Sequence, residues 1–187
     1  MLINRSLSEH LETIKSLSPA KLAAIEQAGE IICRALIGGH KVLLCGNGGS
    51  AADAQHIAAE LVGRYEQQRA AWPAIALTTD SSALTALSND FGFEEVFARQ
   101  VEALASAGDV LIAISTSGKS PNVIRAVETA KELGCKTISL TGAHDGLLSS
   151  LCDVSVNVPS QRTARVQEAH ITIGHIACSL IERVAQP

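Results

Sequence analysis

The chain has 187 residues, the length of one domain with a proper core; with 47% hydrophobic residues and only 3% aromatics, alanine, isoleucine, leucine and valine must fill that core, and global disorder is excluded. A formal net charge of -4 argues against a nucleic-acid partner, whose phosphates need basic neutralisation. No apolar run approaches the ~20 residues of a membrane span, and "MLINRSLSEHLE" lacks the apolar stretch of a secretory signal, so a cytoplasmic protein with no membrane partner is expected.

Residues 1–37 read as helical. Ser18 followed by Pro19 has the form of an N-cap and a first-turn proline. Leu22, Ile25, Ile32 and Leu36 fall near one face, and Gly38-Gly39 ends the segment. "KVLLC" (41–45) is a short continuous apolar run, as in a strand buried on both faces. The glycine loop "GNGGSA" (46–51) leads into a helix reaching about Arg64. "PAIALTT" (73–79) predicts a second strand. Helical segments interrupted around Ser88–Gly92 follow, then a third strand, "DVLIAIS" (109–115). A second polar loop, "STSGKSPN" (115–122), opens the next helix. "CKTISLTG" (135–142) and "CDVSVNVP" (152–159) predict two more strands, and a closing helix runs from about Thr163 to Ala185. Strands alternating with helices of this length predict a three-layer α/β/α sandwich around a five-stranded parallel sheet, in the flavodoxin-like order 2-1-3-4-5. Residues 1–187 form one domain, with 1–37 packed on the core or on a neighbouring subunit. The five cysteines are odd in number and include no Cys-x-x-Cys, which fits reduced, buried thiols.

In that order strands 1 and 3 are neighbours, and the two polar loops open into one crevice at their carboxyl ends. Each loop precedes a helix whose free N–H groups and dipole favour an anion. Ser115, Thr116, Ser117 and Ser120 surround Gly118, so hydroxyls and backbone N–H groups make a neutral phosphate cradle. "SGKS" is not a P-loop, because Ala113 stands where that motif needs glycine. Gly46, Gly48 and Ala51 fit the dinucleotide fingerprint, yet the acidic residue ending the next strand, Asp80, lies too far along.

His56 and Glu60 do not belong to a nucleotide loop. Spaced i,i+4, they share a helix face and offer a nitrogen and an oxygen suited to Zn2+. The last helix supplies candidate partners: Gln167, Glu168, His170 and His175. On an ideal helix Gln167 and His175 are about 80° apart, whereas His170 and His175 diverge by about 140°, so both histidines cannot face one cavity squarely. Spacing does not choose between them.

The segments "CGNGGSAADAQHIAAEL", "SNDFGFEEVFARQV", "GDVLIAISTSGKSPNVIRA" and "RVQEAHITIGHI" together resemble the bacterial phosphoheptose isomerase family of the sugar-isomerase (SIS) fold. The resemblance covers nearly all the chain beyond the N-terminal helix. It implies conversion of sedoheptulose 7-phosphate to D-glycero-D-manno-heptose 7-phosphate, the first step toward heptose in surface glycans. It further implies a homotetramer with sites at subunit interfaces and one zinc per subunit, held by His56, Glu60, Gln167 and His175. Asn47, Gly48, Gly49, Asn89 and Asp90 are implied to line the substrate, with Arg64 nearby, and Ser115, Thr116, Ser117 and Ser120 to hold its phosphate. Glu60 is the expected carbon base and His175 the expected acid or proton shuttle. One position departs from the pattern: Ala164 stands where some members carry an aspartate. The alternative is a non-catalytic SIS-domain regulator that binds a phosphosugar or the replication initiator. The initiator-binding branch loses the helix glutamate and the final-helix histidine, both present here.

Overall fold

The computed structural model describes residues 1–143 and 146–184. Two helices, α1 (Leu2–Lys15) and α2 (Pro19–Ile37), occupy the N-terminal segment. The single helical stretch expected there breaks at 16–18, where Pro19 takes the first helical position of α2. Ile25, Ile32 and Leu36 are buried as expected, but Leu22 is 48% exposed, because the buried series of α2 begins a turn later.

Five strands follow: β1 (Val42–Gly46), β2 (Ala74–Ala76), β3 (Val110–Ser115), β4 (Lys136–Thr141) and β5 (Val154–Asn157). They form one parallel sheet in the order β2-β1-β3-β4-β5, as the alternation of elements predicted. Edge strand β2 is shorter than the apolar run that announced it. Between strands lie α3 (Gly49–Val62), α4 (Ser81–Phe91), a 3-10 turn (Phe93–Glu95), α5 (Ala98–Leu104), α6 (Pro121–Glu132) and α7 (Leu147–Leu151); α8 (Thr163–Val184) closes the chain. The expected terminus of α8 at Ala185 lies outside the described residues. Helix α4 runs through Ser88, Asn89 and Asp90 and breaks only at Gly92, whose φ of 90° suits glycine alone. The short α7 was not anticipated.

Alternate strand residues face opposite helical layers. Val42, Leu44, Val110, Ile112 and Ile114 pack with α2, α3 and α8, while Leu43, Cys45, Leu111 and Ala113 pack with α5 and α6. This two-sided burial explains why β1 and β3 read as unbroken apolar runs. All five cysteines are free thiols, and burial pushes Cys178 up to about 12 and Cys152 up to about 11, so neither is a nucleophile near neutral pH. Among the described residues no helix is long and apolar enough to cross a membrane.

Candidate active site

The two polar loops leave neighbouring strands at the sheet's carboxyl edge, where Gly46 of β1 is in register with Ile114 of β3. In the first loop, a Cβ on Gly46 would lie 2.8 Å from the Ser50 carbonyl oxygen, so only glycine permits this tight entry into α3. Gly48 takes a φ of 56° at the N-cap, and no side chain caps the helix. In the second loop, Ser115 Oγ lies 2.9 Å from Ser120 Oγ and 3.4 Å from Ser117 Oγ. Ser120 occupies the N-cap of α6 without a capping bond, so its hydroxyl belongs to the serine cluster instead. Lys119 is exposed and donates its backbone N–H to Ser117 Oγ at 3.2 Å. Three serine hydroxyls therefore cluster at this loop, tied together and to the Lys119 N–H.

Asn122 joins the loops. Its amide and that of Asn47 exchange two hydrogen bonds, each 2.9 Å long, and Asn122 is buried. Sequence did not single it out, since an asparagine in the first turn of a helix has no special signature and its partner lies 75 residues away.

The nitrogen and oxygen donors converge between α3 and α8. A Cβ on Gly174 would lie 2.7 Å from Ile57 Cδ1, so the missing side chain lets α8 close onto α3. The adjacent residues then meet: His175 Nε2 is 3.3 Å from His56 Nε2, which is 3.1 Å from Glu60 Oε1. One ligand atom from each of the three lies within 4.8 Å of the others. Two imidazole nitrogens and a carboxylate converging on one point repel unless a proton or metal cation sits among them, and this donor set suits zinc. Tyr65 stacks on the His175 ring, with centroids 5.3 Å apart at 28°. Gln167 lies at the other end of α3: a Cβ on Gly49 would collide with its amide nitrogen and sit 2.7 Å from its Cδ. Gln167 thus borders the glycine loop, and Gly49 leaves room for it.

His170 takes no part in this convergence. It is fully buried, and its Nε2 donates to the Thr141 carbonyl at 3.1 Å, as the angular divergence from His175 requires. Burial depresses its pKa from 6.5 to about 4, against the opposing effect of the Thr141 bond. The unfolded chain therefore takes up a proton below pH 6.5 that the folded chain refuses until about pH 4. Stability from this group is complete above pH 6.5 and lost as pH falls toward 4, about 3 kcal/mol in total. Urea unfolding at pH 7.5 and 4.5 should show a smaller difference for His170→Gln than for the unsubstituted chain.

Other expected site residues stand apart. Asn89 and Asp90 are exposed on α4 and bond to each other at 2.8 Å, and among the described residues neither has a hydrogen bond to either loop. Arg64 is exposed just beyond α3, which ends at Val62. Asp53, not singled out by the sequence, lies one turn before His56. Burial pushes its carboxyl up to about 6 against the pull of His56, and its buried Oδ2 has no partner among the described residues.

A five-stranded parallel sheet with two polar loops at its switch point defines an α/β protein of the doubly wound kind, and the sequence profile of the SIS domain matches residues 7–142. The phosphoheptose isomerase of Nitratiruptor sp. is 58% identical over 180 residues, 96% of each chain. That of Campylobacter jejuni strain 81116 is 54% identical over 97% of each. The solved phosphoheptose isomerase of Neisseria gonorrhoeae superposes with a TM-score of 0.90 at 45% identity, covering 97% of each chain. That of Francisella tularensis gives 0.93 at 40%, covering 97% of this chain and 96% of its own. The chain belongs to the phosphoheptose isomerase family.

Proposed function

We propose that the chain interconverts sedoheptulose 7-phosphate and D-glycero-D-manno-heptose 7-phosphate through an enediol, in heptose biosynthesis. The observation that carries this reading is the convergence of His56 and Glu60, on the helix that leaves the glycine loop, with His175 of α8. Ser115, Thr116, Ser117 and Ser120 hold the phosphate, helped by the N-terminus of α6. Asn47, Gly48 and Gly49 line the sugar, with Gln167 beside them. Remote phosphate binding then orients the reacting carbons.

Glu60 removes the C1 proton and returns it to C2. It engages His56 through Oε1 alone, so Oε2 carries no hydrogen bond among the described residues and is open to the proton. This separation of the two oxygens lets one carboxylate serve both as ligand and as base. His175 moves the compensating proton between the oxygens on C1 and C2. Zn2+, one per subunit, would be held by His56, Glu60 and His175, toward which Gln167 would have to turn from its place beside Gly49 to act as fourth ligand, and would supply a Lewis acid for the carbonyl oxygen.

The assembly read here is a cytoplasmic homotetramer of single SIS domains. Helix α4 buries none of its residues, and Phe91 at its end and Phe93 in the 3-10 turn beyond are more than half exposed, which favours a further protein surface against them. Asn89 and Asp90, unconnected to the loops of their own chain, then serve a neighbour's site together with Arg64.

Direct assay of sedoheptulose 7-phosphate turnover by zinc-loaded protein tests the reaction; no turnover would exclude it. Ser120→Ala should raise KM by about 5- to 30-fold, matching the loss of about 1–2 kcal/mol of charge-assisted hydrogen bonding, with kcat less affected. Equal affinity for the phosphorylated and unphosphorylated sugar would remove the cradle from the site.

A further inference from the structure

Two turns beyond His175 on α8, Glu182 is buried with its side chain 2% exposed. Its carboxylate accepts the backbone N–H groups of Tyr65, Glu66 and Gln67, each at 3.0 Å, and Arg69 Nε at 3.1 Å. Burial alone would raise its pKa, but the three N–H donors and Arg69 outweigh burial and hold the group ionised. Three successive N–H groups folded around one anion fix the path of the loop that carries Tyr65.

Arg69 reaches from the same carboxylate to the end of α3. Its Nη2 donates to the Glu60 carbonyl at 2.6 Å and its Nη1 to the Leu61 carbonyl at 2.9 Å, so it satisfies carbonyls that the helix end leaves open. The guanidinium also lies 3.7 Å over the Trp72 ring. One buried ion pair thereby holds the backbone of Glu60 on one helix and, through Tyr65, the ring of His175 on the other.

We propose that Glu182 and Arg69 form a clamp that presses Tyr65 against His175 and sets the spacing of His175 from His56 and Glu60, which makes Glu182, Arg69 and Tyr65 positioning residues of the isomerase site. The clamp rests on the reading of that trio as a zinc-dependent proton-transfer centre. Among the described residues none of the three hydrogen-bonds to the phosphate loop or the glycine loop. Their loss therefore acts on the metal and on kcat, not on KM.

The test uses the full chain with Glu182→Gln, Tyr65→Leu and Tyr65→Phe. Zinc affinity is read by competition with a chromophoric chelator, alongside kcat, KM and Tm. Residues that orient metal ligands from outside typically cost about 10- to 100-fold when changed. Glu182→Gln and Tyr65→Leu should lose that much in zinc affinity and kcat while KM stays near the unsubstituted value. Tyr65→Phe keeps the ring and should restore both. If Glu182→Gln does not fold, Tyr65→Leu, at a half-buried position, carries the test alone. A purely structural role would lower Tm while leaving the zinc affinity of the folded protein unchanged, and that result overturns the clamp. So does equal damage from Tyr65→Phe and Tyr65→Leu. His175→Ala serves as the reference. If it loses zinc while Tyr65→Leu keeps it, the clamp alone fails; if it keeps zinc too, the reading of the trio fails and the clamp with it.

Discussion

Glu60→Gln is expected to lower kcat by about a hundred- to ten-thousand-fold, the range that positioned general acid–base catalysis supplies. The glutamine amide preserves the side-chain volume but cannot accept the carbon proton. It can still offer an oxygen toward His56, so the α3–α8 contact should persist and the chain should fold. Among the described residues no hydrogen bond joins Glu60 to the loop 115–122 proposed to hold the phosphate, so substrate binding should survive. Steady-state kinetics should therefore show the loss in kcat, with KM little changed. Solvent-exchange measurements at the substrate's C1 offer a second check, since loss of the base should abolish exchange of that proton. Near-normal turnover would remove Glu60 from proton transfer altogether.

The second large effect concerns the two histidines of α8. His175→Ala removes one of the nitrogens that meet near Glu60, and zinc affinity should fall by more than the roughly 100-fold limit typical of outer residues. Activity should fall with it, and metal binding in the unsubstituted chain should weaken as pH drops, because the imidazoles must be neutral to coordinate. His170→Ala should retain zinc, because its ring is turned to Thr141 and away from the trio. Its cost should appear in stability, from a buried cavity and the lost bond to the Thr141 carbonyl, which keeps only the Val158 N–H at 2.9 Å. Metal titration of both variants against activity decides the matter. Loss of zinc from His170→Ala and retention by His175→Ala would reverse the assignment.

The parts of the site that sequence made legible are local. His56 and Glu60 share a helix face by simple period, and the serine cluster stands within six residues. Sheet order was readable because strands and crossover helices alternate, and because two-sided burial leaves unbroken apolar runs. The choice of His175 over His170 came from resemblance, since angles separated the two without ranking them. The contacts that fix it physically, Gly174 against Ile57 and His170 beneath Thr141, join residues far apart in the chain. The Asn47–Asn122 pair and the Glu182 nest were hidden for the same reason: their donors have no pattern in either segment alone. The break at 16–18 and the shift of the α4 terminus to Gly92 reflect boundary chemistry, which hydrophobic period does not locate.

The reciprocal Asn47–Asn122 bonds also bear on the size of sugar that can react. Each amide holds the other, so the two loops, proposed to receive the sugar and the phosphate, are tied together by two hydrogen bonds. On the proposed assignment, the span from serine hydroxyls to Glu60 behaves as a caliper with a fixed jaw. A phosphorylated sugar with fewer carbons, anchored at the same hydroxyls, would leave its carbonyl short of the carboxylate. On that assignment, the tie between the loops would favour a chain long enough to reach from the hydroxyls to Glu60.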